Sequence, residues 1–227
     1  MMTKAVRYRG DGDLVIVGSG GFGRETAETV HRLNECGANW RLLGYLDDDQ
    51  ARHGMLVDGI PVLGGRDELR HLSDASVVVC TGRPGNYMSR LRIVGDLGLA
   101  PERYATIIDP TAAVSGSSSI GPGSVLLAHV ALTAAVHVAA HVAIMPQATL
   151  THDDVIDDFA TIASGVCLGG GVRIRQAAYI GAGALIREGR TVGAFALVGM
   201  GSVVIDDVPE REVWAGVPAR HLRKVAD

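Results

Sequence analysis

Aromatic residues are the first thing this chain is short of. They make up 4% of 227 residues, ten rings in all. A core so poor in rings must be built from Val, Ile, Leu and Ala. Cysteine is scarce as well. Cys36, Cys80 and Cys167 show no paired spacing, which excludes a disulfide framework and a cysteine zinc site and points to reduced cytosolic thiols. Positive charge is not in surplus: the net charge is -4 and the pI about 6.0. That excludes a global electrostatic pull toward nucleic acid or an anionic membrane. The N-terminal stretch MMTKAVRYRGDGD is polar and lacks the apolar run of a signal peptide. One long apolar stretch exists, residues 125–145, but it contains His129, His137 and His141 and has no basic flanks, which argues against a membrane span. What is present is 47% hydrophobic residues and 30 glycines, about twice the usual glycine content. The first rules out wholesale disorder, and the second lacks the Gly-X-Y period of collagen.

From Ile108 onward every sixth residue is aliphatic: Ile108, Val114, Ile120, Leu126, Leu132, Val138, Ile144 and so on without a miss to Val204. The run stops at Glu210. Two positions before each of these residues stands mostly Ala, Ser or Val, with Asp154 and Arg190 as exceptions. Glycine often follows, as at Gly121, Gly169, Gly181, Gly193 and Gly199. A period of six suits neither a helix nor a hairpin sheet. It predicts a solenoid of short parallel strands, each turn pointing one aliphatic residue inward and stacking on its like about 4.8 Å away. Burying each such residue is worth roughly 1.5–3 kcal/mol, and the glycines are expected to supply positive φ at corners. On this reading residues 125–145 are three to four turns of solenoid wall. Residues 108–204 hold only four basic and six acidic side chains, so the solenoid surface is expected to be covered by other subunits.

The first hundred residues follow a different grammar. A strand at 14–17 leads into Gly18-Ser19-Gly20-Gly21-Phe22-Gly23 and a helix to about 36. A second strand at 41–46 ends in Asp47-Asp48-Asp49, and a third at 77–80 leads into Thr81-Gly82 and a helix to about 97. This is βαβ grammar with a parallel sheet, a half-size Rossmann-like domain over residues 1–106, joined to a solenoid over 107–227. The glycine loop between strand and helix can offer backbone N–H groups to phosphate oxygens, or be only a tight turn. The acidic cluster about 24 residues past Gly23 is placed to accept ribose hydroxyls. A nicotinamide cofactor is the rival reading. The single short unit favours a mononucleotide or nucleotide-linked sugar.

His129, His141 and His152 raise the question of zinc; were three hexads to make one coil, they would fall on three different faces. His152 opens the only charge-rich stretch, HDDVIDDF. An imidazole with a carboxylate neighbour is a general-base candidate; the alternative is a solvated acidic turn. Gly170, one coil later, is expected to leave open space above the ring for a ligand. Cys167 has no basic neighbour at an obvious spacing.

The motifs VIVGSGGFGRE (15–25), GYLDDD (44–49), DGIPVLG (58–64), THDDVIDDF (151–159), YIGAGALI (179–186), VGMGSVV (198–204) and AGVPAR (215–220) occur in order over nearly the whole chain. Together they resemble the sialic acid O-acetyltransferase/nucleotide-aminosugar N-acetyltransferase family of hexapeptide-repeat acyltransferases, which includes bacterial enzymes acting on UDP-4-amino-sugars. The resemblance implies a left-handed parallel β-helix, a cytoplasmic homotrimer, and acetyl-CoA as co-substrate without a metal. It implies nucleotide-sugar binding at Ser19, Gly20, Gly21, Asp47, Asp48 and Gly82. It implies His152 as base with Asp153 increasing its basicity, and acetyl-CoA contacts at Thr161, Ala182 and Met200. N-acetylation of a nucleotide-linked amino sugar is the expected reaction; sugar O-acetylation and a non-catalytic nucleotide-sugar-binding trimer are the alternatives. Two positions depart from the family pattern: Thr161 stands where a second histidine is common, and Met145-Pro146-Gln147 replaces an Asn-Thr-type turn.

Overall fold

The computed structural model describes residues 10–225. Most of the polar N-terminal stretch read for a signal peptide, residues 1–9, lies outside them. Strand β1 (Asp11–Val17) enters helix α1 (Gly21–Glu35), followed by β2 (Asn39–Leu46), a hairpin of β3 (Leu56–Val57) and β4 (Ile60–Gly64), β5 (Ser76–Val79) and helix α2 (Ser89–Leu97). The sheet order is β3-β4-β2-β1-β5, parallel except at the hairpin. The hairpin's turn is Asp58-Gly59, both at positive φ, a pairing that suits such turns. Leu14, Ile16, Tyr45, Val62 and Val78 bury one face against Ala27, Val30 and Leu33 of α1.

Seventeen two-residue strands follow, β6 (Ile107–Ile108) to β22 (Val203–Val204), each ending on a position of the hexad run. Each strand from β6 to β19 pairs in parallel with the one 18 residues on. The coil is therefore a three-sided left-handed β-helix. The first face holds β6, β9, β12, β15, β18 and β21; the second β7, β10, β13, β16, β19 and β22; the third β8, β11, β14, β17 and β20. A closing hairpin, β23 (Glu212–Gly216) and β24 (Ala219–Lys224), extends the first face. The hexad residues and their small neighbours form one continuous interior ladder. Residues 125–145 supply four successive strands of it. No helix among the described residues is long and apolar enough to cross a membrane.

Glycines do supply positive φ at corners, as at Gly123, Gly165, Gly171, Gly183, Gly189 and Gly201, but these are not the glycines that follow the hexad position. The glycines after the hexad position serve close approach rather than turn conformation: a Cβ at Gly181 would lie 2.5 Å from the Met200 amide nitrogen. From residue 123 to 201 positive φ recurs every sixth residue, and non-glycine residues often take it: His129, Ala135, His141, Gln147, Asp153, Phe159, Ala177 and Phe195 all adopt it.

The two halves share a core. Ile107, Val125 and Leu127 from the first face pack into the cluster of Leu14 and Ile16. The corner between third and first faces carries an aromatic column facing the N-terminal half. Phe159 stacks on His141 at 5.0 Å, Tyr104 meets His141 edge-on at 4.5 Å, and the Tyr87 hydroxyl donates to the Phe195 carbonyl at 2.8 Å. Burial drives the His141 imidazole down to about 4, so it is neutral there near pH 7. Arg32 of α1 donates to Asp109 at the solenoid's first turn. Arg90 of α2, fully enclosed, donates to the carbonyls of Thr81, His141, Phe159 and Ala160 and to Thr161 Oγ1 at 2.7–3.1 Å.

Candidate active site

The sequence-derived residues form three separate clusters within one chain. The first is the glycine-loop cleft, about 730 Å³, lined by Gly20, Gly21, Asp47, Asp48, Arg52, Arg66, Thr81, Gly82 and Arg83 among others. Gly20 is the N-cap of α1, with no side-chain cap and no acid in the first turn. Its open N–H groups and dipole end therefore face the cleft uncompensated, a setting for an anion. Ser19 does not face it. It is 1% exposed, and both its amide and hydroxyl donate to Asp47 Oδ2, at 2.9 and 2.5 Å. Arg52 closes over the same serine, 2.9 Å from its hydroxyl oxygen. Burial pushes the Asp47 carboxyl up, but these Ser19 bonds, the Asp49 amide and the Arg52 charge outweigh it and hold the group below its usual range. Ser19 and one oxygen of Asp47 thus brace the loop; they are not free ligand contacts. Asp48 is paired with Arg66 at 2.8 Å. Gly82, at φ 127, allows the Thr81–Gly82 turn to lie against Arg90.

The second cluster sits at the corner between the second and third faces, where His152 follows β13 (Thr149–Leu150). Its side chain is 67% exposed and its Nδ1 lies 2.8 Å from Asp153 Oδ2. An ionised carboxylate only accepts, so Nδ1 carries the hydrogen and Nε2 keeps the lone pair. Asp153 reaches the ring because its backbone takes φ 63. Gly170 corrects the expectation of open space for a ligand: its missing side chain is the seat of the ring, and a Cβ there would overlap Cε1 and Nε2 of His152. Asp154 joins this cluster as a residue that sequence reasoning did not assign to it. It is 0% exposed, at the inward position that its place in the hexad already marks as an exception.

The third cluster is Ala182 and Met200, stacked one coil apart at the corner between first and second faces, with the Gly201 amide donating to the Ala182 carbonyl at 2.8 Å. Met200 is 80% exposed. Thr161, expected beside them as an acetyl-CoA contact, is not there. It lies on the first face beneath the N-terminal half, buried, its hydroxyl accepting from Arg90 at 2.9 Å. His129, His141 and His152 occupy three different corners.

Two neighbouring glycines give a crossed expectation. Gly170→Ala has an ordinary backbone conformation and should fold normally, yet lower turnover by about 10–10²-fold by pushing the ring aside. Gly171→Ala meets nothing but sits at φ 70. It should lose about 1 kcal/mol of stability and keep its turnover. Thermal melts and steady-state kinetics on the two variants check this.

Residues 13–97 match the PglD N-terminal domain family. Among solved structures, the acetyltransferase domain of PglB from Neisseria gonorrhoeae is 31% identical, covering 92% of this chain and 99% of that one with a TM-score of 0.80. Its complex with acetyl coenzyme A matches at 31% identity, over 94% and 100% of the two chains, TM-score 0.81. A mutant of GDP-perosamine N-acetyl transferase from Caulobacter crescentus, in complex with CoA and GDP-perosamine, is 28% identical over 93% and 97%, TM-score 0.82. Comparison with curated protein sequences gave no match. The fold and these likenesses define an acyltransferase built on a hexapeptide-repeat β-helix. Within that class, the chain belongs to the nucleotide-sugar N-acetyltransferase family.

Proposed function

We propose that the protein transfers the acetyl group of acetyl-CoA to the amino group of a nucleotide-linked amino sugar. Residues 1–106 hold the nucleotide, and residues 107–227 hold acetyl-CoA and the base. The observation that carries this reading is His152: an exposed imidazole with its Nδ1 on a carboxylate and its Nε2 lone pair free. Nε2 takes the proton as the amine attacks the thioester carbonyl and passes it to the sulfur as the C–S bond breaks, so CoA leaves as the thiol. Holding both substrates in one complex supplies much of the acceleration. The diphosphate sits at the N–H groups of Gly20 and Gly21, near Gly82, with Arg52, Arg66 and Arg83 offsetting its charge. Asp48 and the outer oxygen of Asp47 face the ribose. Ala182 and Met200 line the path of acetyl-CoA; Thr161 serves the domain junction instead.

The site is completed by a homotrimer. His152 and the Ala182/Met200 column flank the two edges of the second face, so one chain cannot bring them together. The outward residues of that face are Ala113, Ala131, Thr149, Cys167, Leu185 and Val203, all uncharged, and Leu185 is 47% exposed. Packing such faces around a threefold axis sets the His152 corner of one subunit near the Met200 corner of the next. Acetyl-CoA as co-substrate and three free thiols fit a cytoplasmic setting. Calorimetric titration with CoA and with nucleoside diphosphates tests the assignment: both should bind, at separate sites. Nucleotide binding without CoA binding would instead describe a non-catalytic nucleotide-sugar-binding trimer.

A further inference from the structure

Asp154 has no part in the transfer step just described. In the coil its position is filled elsewhere mostly by Ala, Ser or Val, Arg190 being the other charged exception. Ser118 and Ser124 stand there and accept from the amide one coil on, Val136 at 3.1 Å and Val142 at 2.9 Å. Asp154 does the same with one oxygen, Oδ1 accepting from Val172 N at 2.8 Å. Its other oxygen accepts from Thr151 N, also at 2.8 Å. Thr151 immediately precedes His152, and Val172 closes the turn Gly169–Gly171 that contains the ring's seat. A wholly buried carboxylate without a buried cation is costly, and the coil obtains the same stacking bond from a serine.

We propose that Asp154 is a positioning residue for the base: its carboxylate fastens the turn carrying His152 to the turn carrying Gly170 and sets a negative charge beside the imidazole. This rests on the reading of His152 as the base. Burial pushes the Asp154 carboxyl up to about 7, against the two amides and the His152 charge that favour ionisation. Its charge therefore changes in the neutral range. The charged groups on its own turn are His152 and Asp153. The coil below presents Ala134 and Val136, and the coil above Gly170, Gly171 and Val172, none of which titrates. Glu188 and Arg190 stand two coils up.

The test uses Asp154→Ser, which copies the stacking bond of Ser118 and Ser124, and the isosteric Asp154→Asn, both in the full-length enzyme. Both variants should fold. The folded carboxyl is raised above its unfolded range, so the native protein loses stability as pH climbs from about 4 to 7. At pH 8 Asp154→Ser should therefore melt at the native temperature or above it. Its kcat should fall about tenfold with both KM values within about twofold, and the kcat pH profile should lose one ionisation near 7, that of Asp154, leaving the one required of the base itself. A kcat and pH profile that superimpose on the native ones would overturn the proposal. So would failure of both variants to fold, which would make Asp154 purely structural. His152→Ala is measured alongside: native turnover there removes the base itself, whereas an inactive His152→Ala beside a native-like Asp154→Ser removes only the role of Asp154.

Discussion

His152→Ala is expected to lower turnover by about 10²–10⁴-fold, the usual contribution of a positioned general base, while leaving the fold intact. The side chain is largely exposed and its contacts are Asp153 and the surface of Gly170, so little packing is lost. Substrate binding should change little, because the imidazole meets the amine only at the reacting atom. Loss in kcat with nearly constant KM is the signature of an interaction made in the transition state. Asp153→Asn should show a smaller loss, since an amide leaves the Nδ1 hydrogen bond possible but removes the charge that steadies the imidazolium. Native turnover in His152→Ala would assign the proton transfer to another group.

Arg90→Met is expected to cost about 3–5 kcal/mol, since several buried carbonyls lose their donor at about 1–3 kcal/mol each. Arg90 is 1% exposed, and its acceptors are four carbonyls and one hydroxyl, from the turn after β5 and from two coils. Burial pulls its pKa down to about 10, so it remains charged at neutral pH. Methionine fills the volume but leaves those carbonyls without a donor in a dry junction. The N-terminal half should then unfold before the solenoid, giving two separated transitions in denaturant. Because Thr81 hands the same arginine its carbonyl, the cleft should also lose affinity for nucleotide. A single transition at the native midpoint would contradict this role.

Much of the fold is legible in the sequence because its period is short and strict. One inward aliphatic residue per hexad writes the solenoid directly into the chain, and the rarity of rings follows from its narrow interior. Phe159 and Phe195 sit at the outer corner instead, against the N-terminal half. The β3–β4 hairpin has a signal in Asp58-Gly59, but its strands are too short to show a period of their own. Asp154 has a signal too, as a break in the column of small residues, but the neighbouring acids disguise it as part of a solvated cluster. Adjacent positions in a hexad point opposite ways, so Asp153 faces the ring and Asp154 the core. Arg90 has no signal. Apart from Thr81, its partners lie 51 to 71 residues away along the solenoid and are mostly backbone carbonyls, which leave no trace in side-chain identity. Ser19 and Asp47 are assigned by sequence to the correct loop, but their mutual bonding depends on a 28-residue separation closing to 2.5 Å.

The most direct measurement is the chemistry of the product. The purified protein is incubated with acetyl-CoA and a panel of nucleotide-linked amino sugars, and the products are analysed by mass spectrometry before and after mild alkaline hydroxylamine. Transfer to the amino group predicts one added acetyl that survives hydroxylamine as an amide and is absent when the amino group is replaced by a hydroxyl. An acetyl that hydroxylamine removes as an ester, or CoA release with no acetylated sugar, would contradict it.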